Sequence, residues 1–559
     1  MEKEILLGDE AIVRGALEAG VDFVSGYPGC PSAEIGDEFG KIAREHGIYA
    51  EWSTNEKVAL ESAIGASFSG LKSLVNMKSF GLNVCSDSLF PLAYTGTKAP
   101  MVIVVADDPS CWSSAQSEQD SRGYGYLFGL PILEPSDPEE CYGFTKLGFE
   151  ISEKFQLPVI LRITTRVAHQ RMPVKINKNV KTENQKEKGI FIKDYKRFAT
   201  MPPRVLEMKK ELLEKIEKLR VFSENSKANR ITENPTSGKL GIIASGVGFL
   251  HTIEAIEELG LNIPVLKLGF FHPLPVKKIA GFIKNLKQVL IAEEVDPYLE
   301  KEIKIIAKEA NPKIQVFGRD ILSGIGELNP DKIISAIVKI KKIKIKNNQK
   351  TPDIKFKIPK RTARLCDGCP YWHVFPVVKR IAPEGTVFGG DIGCNMIAGF
   401  SPHNIQDYLF SMGASMGISH GISKAVSPSF AKNSESKQKV ISIIGDGTFF
   451  HAGIPGLINA VYNKSNPLII ILDNRITAMT GHQQNPGMGK TVMGDDVEEI
   501  KIEEIAKSCG VKNIKVLDPI NTKELEGSIR EFLEKEEVSV IICRRICALL
   551  ARRQKKQNE

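Results

Sequence analysis

The 559-residue sequence has no apolar run long enough to cross a bilayer. Its longest purely apolar stretches, such as "LIIIL" at 468–472, fall far short of the ~20 residues a spanning helix needs. The first ten residues, "MEKEILLGDE", carry acids and no signal-peptide core, so a cytoplasmic location and no membrane partner are expected. Aromatic residues are sparse at 7%, and they are scarcest where the basic residues crowd. The stretch "KIKKIKIKNNQKTPDIKFKIPKR" (339–361) holds only Phe356, and the tail "RRQKKQNE" holds none. Single-stranded nucleic acid is gripped by aromatics interleaved with cations. The net charge of +8 is therefore read as solvated lysine-rich segments, with no nucleic-acid partner expected. Disulfides are not expected either, because a cytosolic chain keeps its thiols reduced. The ten cysteines crowd instead towards the C-terminal third, which suggests metal or redox work there.

What is present is a soluble, globular composition, 42% hydrophobic and 25% charged, on a chain long enough for several domains. Short apolar runs alternate with helical patterns, the mark of an α/β chain with parallel, doubly wound sheets. The expected organisation is an α/β domain over 1–175 and a poorly patterned connection over 176–238, with helical turns near 203–222. A second α/β domain follows over 239–340, then a basic linker over 341–361. A third α/β domain covers 362–550, and a basic tail covers 551–559.

Three stretches carry chemistry. In "GYPGCPSAEI" (26–35), glycines and prolines stop the strand "VDFV" and fix a rigid loop around Cys30, with a helix start at Ser32. In "VISIIGDG" (440–447), an apolar run delivers Gly445, Asp446 and Gly447 to a strand end, and Asn474 stands directly after a second such run, "LIIILD". Open α/β sheets bind ligands at that carboxyl edge. Mg²⁺ takes six oxygens and pairs protein carboxylates with phosphates. Asp446 would supply a carboxylate, Asn474 an amide oxygen and Ile476 a backbone carbonyl, while the glycines let a diphosphate approach. A lone GDG is more often a turn; with Asn474 on the next strand, the stretch resembles the signature of thiamine-diphosphate enzymes.

The third stretch is "LCDGCPYW", where Cys366 and Cys369 form a CxxC, followed by Cys394 in "DIGCN" and Cys547 in "RRICAL". Together these could supply the four thiolates of one [4Fe–4S] cluster. CxxC alone leaves zinc or a thiol redox pair open. Cys543, inside an apolar run, is the rival fourth ligand and reads as core.

These segments, with "EWSTNEKVALE", "TRVAH", "MGASMGISHG" and "LDNRITAMTGHQQNPG", resemble the large-subunit family of indolepyruvate:ferredoxin oxidoreductases over residues 5 to 549. The resemblance implies two thiamine-diphosphate-binding-like domains, at 1–175 and 362–550, around a transketolase C-terminal-like domain at 239–340. It implies thiamine diphosphate, Mg²⁺ and a [4Fe–4S] cluster as cofactors. The implied reaction is oxidative decarboxylation of an aryl pyruvate, with coenzyme A taking the acyl group and electrons leaving through the cluster to ferredoxin. A separate small beta subunit and a heterotetramer are implied as well. Glu56, just before a small-residue helix, becomes the carboxylate that activates the cofactor's pyrimidine; Glu51 and Glu61 are its neighbours in the acid set. Tyr27, Cys30 and Thr480 fall beside the cofactor, Cys30 standing where relatives of this type carry a threonine. Arg122, in "SEQDSRGYG", becomes a candidate for the substrate carboxylate, with a surface salt bridge as the alternative. His451 and His482 become candidates for proton transfer, or satisfied structural histidines.

Two departures qualify the resemblance. The family chain continues past "CAL" into a ferredoxin-like domain, whereas this sequence ends at Glu559, so one cluster and a separate electron-carrying protein are expected. "CPYW" replaces the family's "CPHR", which leaves the 2-oxoacid open. Rival readings are a non-redox thiamine-dependent decarboxylase and a non-catalytic cofactor-binding subunit. The leading reading requires Glu56 and the Asp446/Asn474 pair to hold opposite ends of one coenzyme molecule.

Overall fold

The structure, a computed structural model, describes residues 2–177, 189–232, 240–343, 363–427 and 438–558. Most of the expected basic linker thus lies outside the described residues. By contacts the chain divides into two compact units, Met1–Asp353 and Ile354–Glu559.

The first unit holds two α/β sheets. The seven-stranded sheet runs Phe270–His272, Ile132–Leu133, Val159–Thr164, Met101–Asp107, Ser73–Lys78, Phe23–Gly26 and Tyr49–Trp52 across its width. All neighbours pair in parallel except the first two. The five-stranded sheet runs Gln315–Phe317, Gln288–Ala292, Leu240–Ala244, Val265–Leu268 and Asn229–Ile231, parallel except for its last strand. Continuous burial explains these strands. Every residue of Met101–Asp107 and of Val159–Thr164 is buried, as in sheets covered on both faces. A small antiparallel pair, Glu2–Leu7 with Arg171–Ile176, ties the N-terminus to the end of the first segment.

The sheets do not keep to the boundaries the sequence suggested. Asn229–Ile231, from the presumed connection, edges the second sheet, and Phe270–His272, from the presumed second domain, edges the first. The single apolar run "IPVLKLGFFHPLP" is the cause. Gly269 breaks it, and Val265–Leu268 and Phe270–His272 part into different sheets. A Cβ at Gly269 would lie 2.8 Å from the Ala228 carbonyl oxygen and the Phe144 ring, so only glycine allows the break there. The connection also contains the expected helix, Arg204–Asn225.

The second unit is a five-stranded, wholly parallel sheet in the order Val387–Gly389, Val440–Gly445, Leu468–Asp473, Ser539–Arg544 and Asn513–Leu517. The period-two alternation of Leu468–Asp473 sends Leu468, Ile470 and Leu472 to a core under the helices Tyr371–Ile381 and Thr522–Leu533. Ile469 and Ile471 point to the other core, under Ala414–Ala425, Ile454–Tyr462 and Ile502–Ser508. Both faces are covered, so the strands end abruptly at one carboxyl edge. Asp446 follows the second strand there and Asn474 the third.

Among the described residues no helix is long and apolar enough to cross a membrane.

Candidate functional site

In the first unit the strand Phe23–Gly26 runs into the glycine-proline loop, and the helix Ala33–Ile42 follows it. A Cβ on Gly26 would sit 2.5 Å from the Asn76 Oδ1, and one on Gly29 would sit 2.8 Å from the Lys78 Cβ. Both glycines are therefore required by close approach to the neighbouring strand. The loop is pinned by the Asn76 amide donating to the Ser32 carbonyl at 3.0 Å and by the Ser113 hydroxyl donating to the Cys30 carbonyl at 3.2 Å. Tyr27 is buried, and Cys30 is half-buried. Burial, reinforced by Glu34, pushes the Cys30 thiol up to about 11, so a neutral thiol sits where a hydroxyl was expected.

Glu56 opens the helix Glu56–Phe68, capped by Asn55, whose side chain accepts from the Val58 N–H at 2.9 Å. It is 7% exposed, and Gly81 closes over it: a Cβ there would lie 2.4 Å from the Glu56 Cγ. The two other acids of this stretch are engaged elsewhere. Glu51 accepts from Tyr49 and Ser53, and Glu61 accepts from Ser88 at 2.7 Å and pairs with Lys57.

Arg122 is not where the sequence suggested. It is fully buried, and its guanidinium lies 3.3 Å from both Glu134 and Glu293 and 5.1 Å from the Phe271 ring centroid. Beside it Arg162, equally buried, donates to Asp107 at 2.8 Å and to Glu134 at 2.5 Å. Neither an exposed salt bridge nor a substrate anchor describes it, since its charge is already matched by internal carboxylates. Arg122 is a structural cation that joins the ends of the first unit's two sheets.

In the second unit the sequence-predicted groups do converge. Asp446 is 3% exposed, and its Oδ2 accepts from the Asn485 amide at 3.0 Å. Burial, reinforced by Asp473, pushes its carboxyl up to about 7. Asn474 follows as the chain turns through Arg475, whose φ of 66° is in the left-handed region. That turn lets the Asn474 Oδ1 accept from the Ile476 N–H at 3.1 Å while its amide donates to the Tyr371 hydroxyl at 2.9 Å. Strain of this kind, on the order of 1–3 kcal/mol, gathers at functional sites. Gly445 and Gly447 are buried, and the Gly445 N–H donates to Asp391 Oδ2 at 3.0 Å. Farther along, Thr480 donates to Gln483 at 2.6 Å, closing a loop whose ends pair at Thr477 and Gln483. His451 is buried in a π-turn over Phe449–Gly453.

The four predicted cysteines lie within electrostatic reach of one another. Burial pushes the Cys394 thiol up to about 12, reinforced by Cys369, Cys547 and Cys366. Cys369 likewise faces Cys366 and Cys547, with its thiol pushed up to about 11, burial first. Cys543 points away into the apolar core with 2% exposure, as expected of a residue inside the strand. Cys547 is held by the strand end: its N–H donates to the Asn474 carbonyl at 3.1 Å. Arg544 fixes that strand end through Asp473 at 2.6 Å and a two-pronged contact with Glu503. His482, one of the candidate proton carriers, lies with its Nε2 3.6 Å from the Cys547 sulfur.

Matched to family models, residues 391–543 fit "Thiamine pyrophosphate enzyme, C-terminal TPP binding domain" and residues 14–234 fit "Pyruvate flavodoxin/ferredoxin oxidoreductase, thiamine diP-bdg". The chain is 43% identical over 557 residues to the indolepyruvate oxidoreductase subunit IorA of Methanothermobacter thermautotrophicus, covering 98% of this chain and 87% of that one. To the subunit of the same name from Archaeoglobus fulgidus it is 38% identical, covering 100% of this chain and 88% of that one. The chain belongs to the IorA family. A solved 2-oxoglutarate:ferredoxin oxidoreductase from Magnetococcus marinus resembles it at a TM-score of 0.48 and 19% identity, covering 60% of this chain and 65% of that one.

Within this IorA-family chain, three further residues lie beside these groups without belonging to any of their motifs. Tyr371 follows the CxxC and is buried. Burial first, then the charges of Asp446, Cys394 and Cys369, hold its hydroxyl well above the ordinary phenol range. Asp391 opens the "DIGCN" segment, and Asn395 closes it. Asp391 Oδ1 and Asn395 Oδ1 are buried without a hydrogen-bond partner beside Gly445. Their signal was proximity to a cysteine already singled out, which drew attention to the sulfur alone.

Proposed function

We propose that this chain is the catalytic large subunit of a thiamine-diphosphate-dependent 2-oxoacid:ferredoxin oxidoreductase acting on an aryl pyruvate of the indolepyruvate type. It would work with a small partner subunit, coenzyme A and ferredoxin, as a cytoplasmic heterotetramer. The overall reaction takes one 2-oxoacid, one coenzyme A and two oxidised ferredoxins to one acyl-coenzyme A, carbon dioxide, a proton and two reduced ferredoxins. The observation that carries this reading is the Cys547–Asn474 backbone bond, which sets one of the four candidate thiols directly beside Asn474. Family membership supports the reaction class.

The residues fit the cofactors. Asp446 and the Asn474 Oδ1 offer the hard oxygens that Mg²⁺ prefers, joined by the Ile476 carbonyl. The unpartnered Asp391 and Asn395 oxygens are buried acceptors that a bound polar group would satisfy. A tetrahedral zinc holds thiolates about 2.3 Å from the ion, so their sulfurs lie within about 4 Å of one another. Among the described residues, no three of the four thiols come within 4.8 Å of one another. A closed three-thiol zinc site is therefore not formed there.

When bound, Mg²⁺–thiamine diphosphate supplies the nucleophilic carbon for the 2-keto group, and the cluster supplies a one-electron path. The chain's own groups do the rest. Glu56, clamped by Gly81, holds and returns a proton at the pyrimidine nitrogen. Tyr371 accepts from the Asn474 amide and so would hold that side chain in place for a bound cation. The neutral Cys30 thiol offers a weak donor in the loop expected to face the substrate.

The deciding experiment is anaerobic purification of the chain co-expressed with its partner subunit. Iron and acid-labile sulfide of about four each per chain are expected. Coenzyme A-dependent viologen reduction with indolepyruvate or phenylpyruvate should exceed that with pyruvate. Bound thiamine diphosphate without iron or dye reduction would instead identify a non-redox decarboxylase or an assembly subunit.

A further inference from the structure

Away from the sites above, Asp9, Glu34 and His169 bring one ligand atom each within 4.8 Å of one another. They come from three separate elements. Asp9 is in the first turn of the helix Gly8–Glu18, Glu34 is in the first turn of Ala33–Ile42, and His169 ends the turn Thr165–Ala168. Gly8 makes the meeting possible. A Cβ there would lie 2.1 Å from the Val167 carbonyl oxygen, and the Gly8 N–H donates to the Gln170 carbonyl at 3.2 Å. The His169 Nε2 stands 3.7 Å from Glu34 Oε1.

Asp9 carries the argument. Its side chain is 1% exposed, yet neither carboxylate oxygen has a hydrogen-bond partner, and neither does Glu34 Oε2. Helix-start dipoles favour negative charge at both acids, but they leave those oxygens without a donor. A buried carboxylate left this way is strongly disfavoured unless a cation or proton meets it. Two carboxylates and one imidazole form a mixed oxygen–nitrogen set, the kind that suits borderline divalent ions.

We propose that Asp9, Glu34 and His169 bind one divalent transition-metal cation of the zinc or manganese class. The ion ties the helix that follows the Cys30 loop to the N-terminal helix and to the 165–170 turn. Glu34 and Asp9 both act electrostatically on Cys30, so the ion also sets the charge beneath the loop that carries it.

The test uses the whole cluster-containing complex, stripped of loose metal, with its thiamine site filled by Mg²⁺–thiamine diphosphate. Mn²⁺ is titrated while the free-ion signal is followed by electron paramagnetic resonance, and Zn²⁺ is then added to displace it. The wild type should bind one Mn²⁺ per chain that Zn²⁺ displaces. Asp9→Asn and His169→Ala should each weaken that binding at least about tenfold. Should Asp9→Asn fail to fold, the half-exposed His169 carries the test alone. Absence of the Mn²⁺ site in the wild type, or equal binding in wild type and His169→Ala, would overturn the proposal. Asp9 and Glu34 would then be sharing a proton.

Discussion

Asn474 and Cys547 are joined through the backbone, the Cys547 N–H donating to the Asn474 carbonyl at 3.1 Å. Under the proposed function one residue would face two tasks, its side chain serving the diphosphate edge and its carbonyl holding a candidate cluster ligand. The division predicts separable losses. Cys547→Ala should abolish cluster iron while sparing thiamine diphosphate binding. Asp446→Ala should abolish thiamine diphosphate binding while sparing iron. Iron analysis and fluorescence titration of the cofactor on the same two preparations check this, and joint loss in both would mean the two sites are not separable.

Tyr371→Phe removes only the hydroxyl that accepts from the Asn474 amide at 2.9 Å. The buried amide is then unpaired, at a cost of about 1–3 kcal/mol. Affinity for Mg²⁺–thiamine diphosphate should fall about tenfold, with iron content unchanged. An unaltered dissociation constant would remove Tyr371 from the positioning role.

Much of this was legible in the sequence, and the failures have physical causes. Asp446, Asn474 and Cys547 could be singled out because each follows an apolar strand, and parallel strands deliver such residues to one edge, whereas Cys366 and Cys369 stood out by their CxxC spacing alone. Glu56 could be chosen only by resemblance, since three acids share its stretch and no periodicity separates them; the close approach of Gly81 is a tertiary fact. Arg122 was misread because an arginine among polar residues looks exposed. Its burial depends on Glu134 and Glu293, distant in sequence and brought to it by the two sheet ends. The boundary at Gly269 was hidden for a related reason: an unbroken apolar run does not announce that its halves enter different sheets.

Glu56 offers the sharpest catalytic test in the first unit. Glu56→Gln keeps the shape and removes the acid, so turnover should fall about 10²–10⁴-fold by the usual scale of general acid–base catalysis. Gly81→Ala leaves the acid in place but drives a methyl group into its Cγ, 2.4 Å away. It should therefore lower turnover as well, with an unchanged iron content. A Gly81→Ala enzyme of full activity would show that the orientation of Glu56 does not matter.

The buried network around Arg122 and Arg162 predicts a pH dependence of stability. Burial pushes Glu293 and Glu294 up from 4.5 to about 7 in the folded chain, against the pull of Arg122 and Arg162. A raised acid means the folded state holds protons that the unfolded state has released. Stability from these groups is therefore fully present below pH 4.5 and is lost as the pH rises towards 7. Asp446, pushed up to about 7, adds a slope of the same sign from the second unit, so the test must be a difference between variants. Glu294→Gln cannot ionise and should flatten the decline in the urea midpoint between about pH 5 and pH 8 relative to wild type, each fully titrating group contributing at most about 1.4 kcal/mol per pH unit. Parallel pH profiles for the two proteins would show that Glu294 stays ionised in the fold, its burial fully offset by the two arginines.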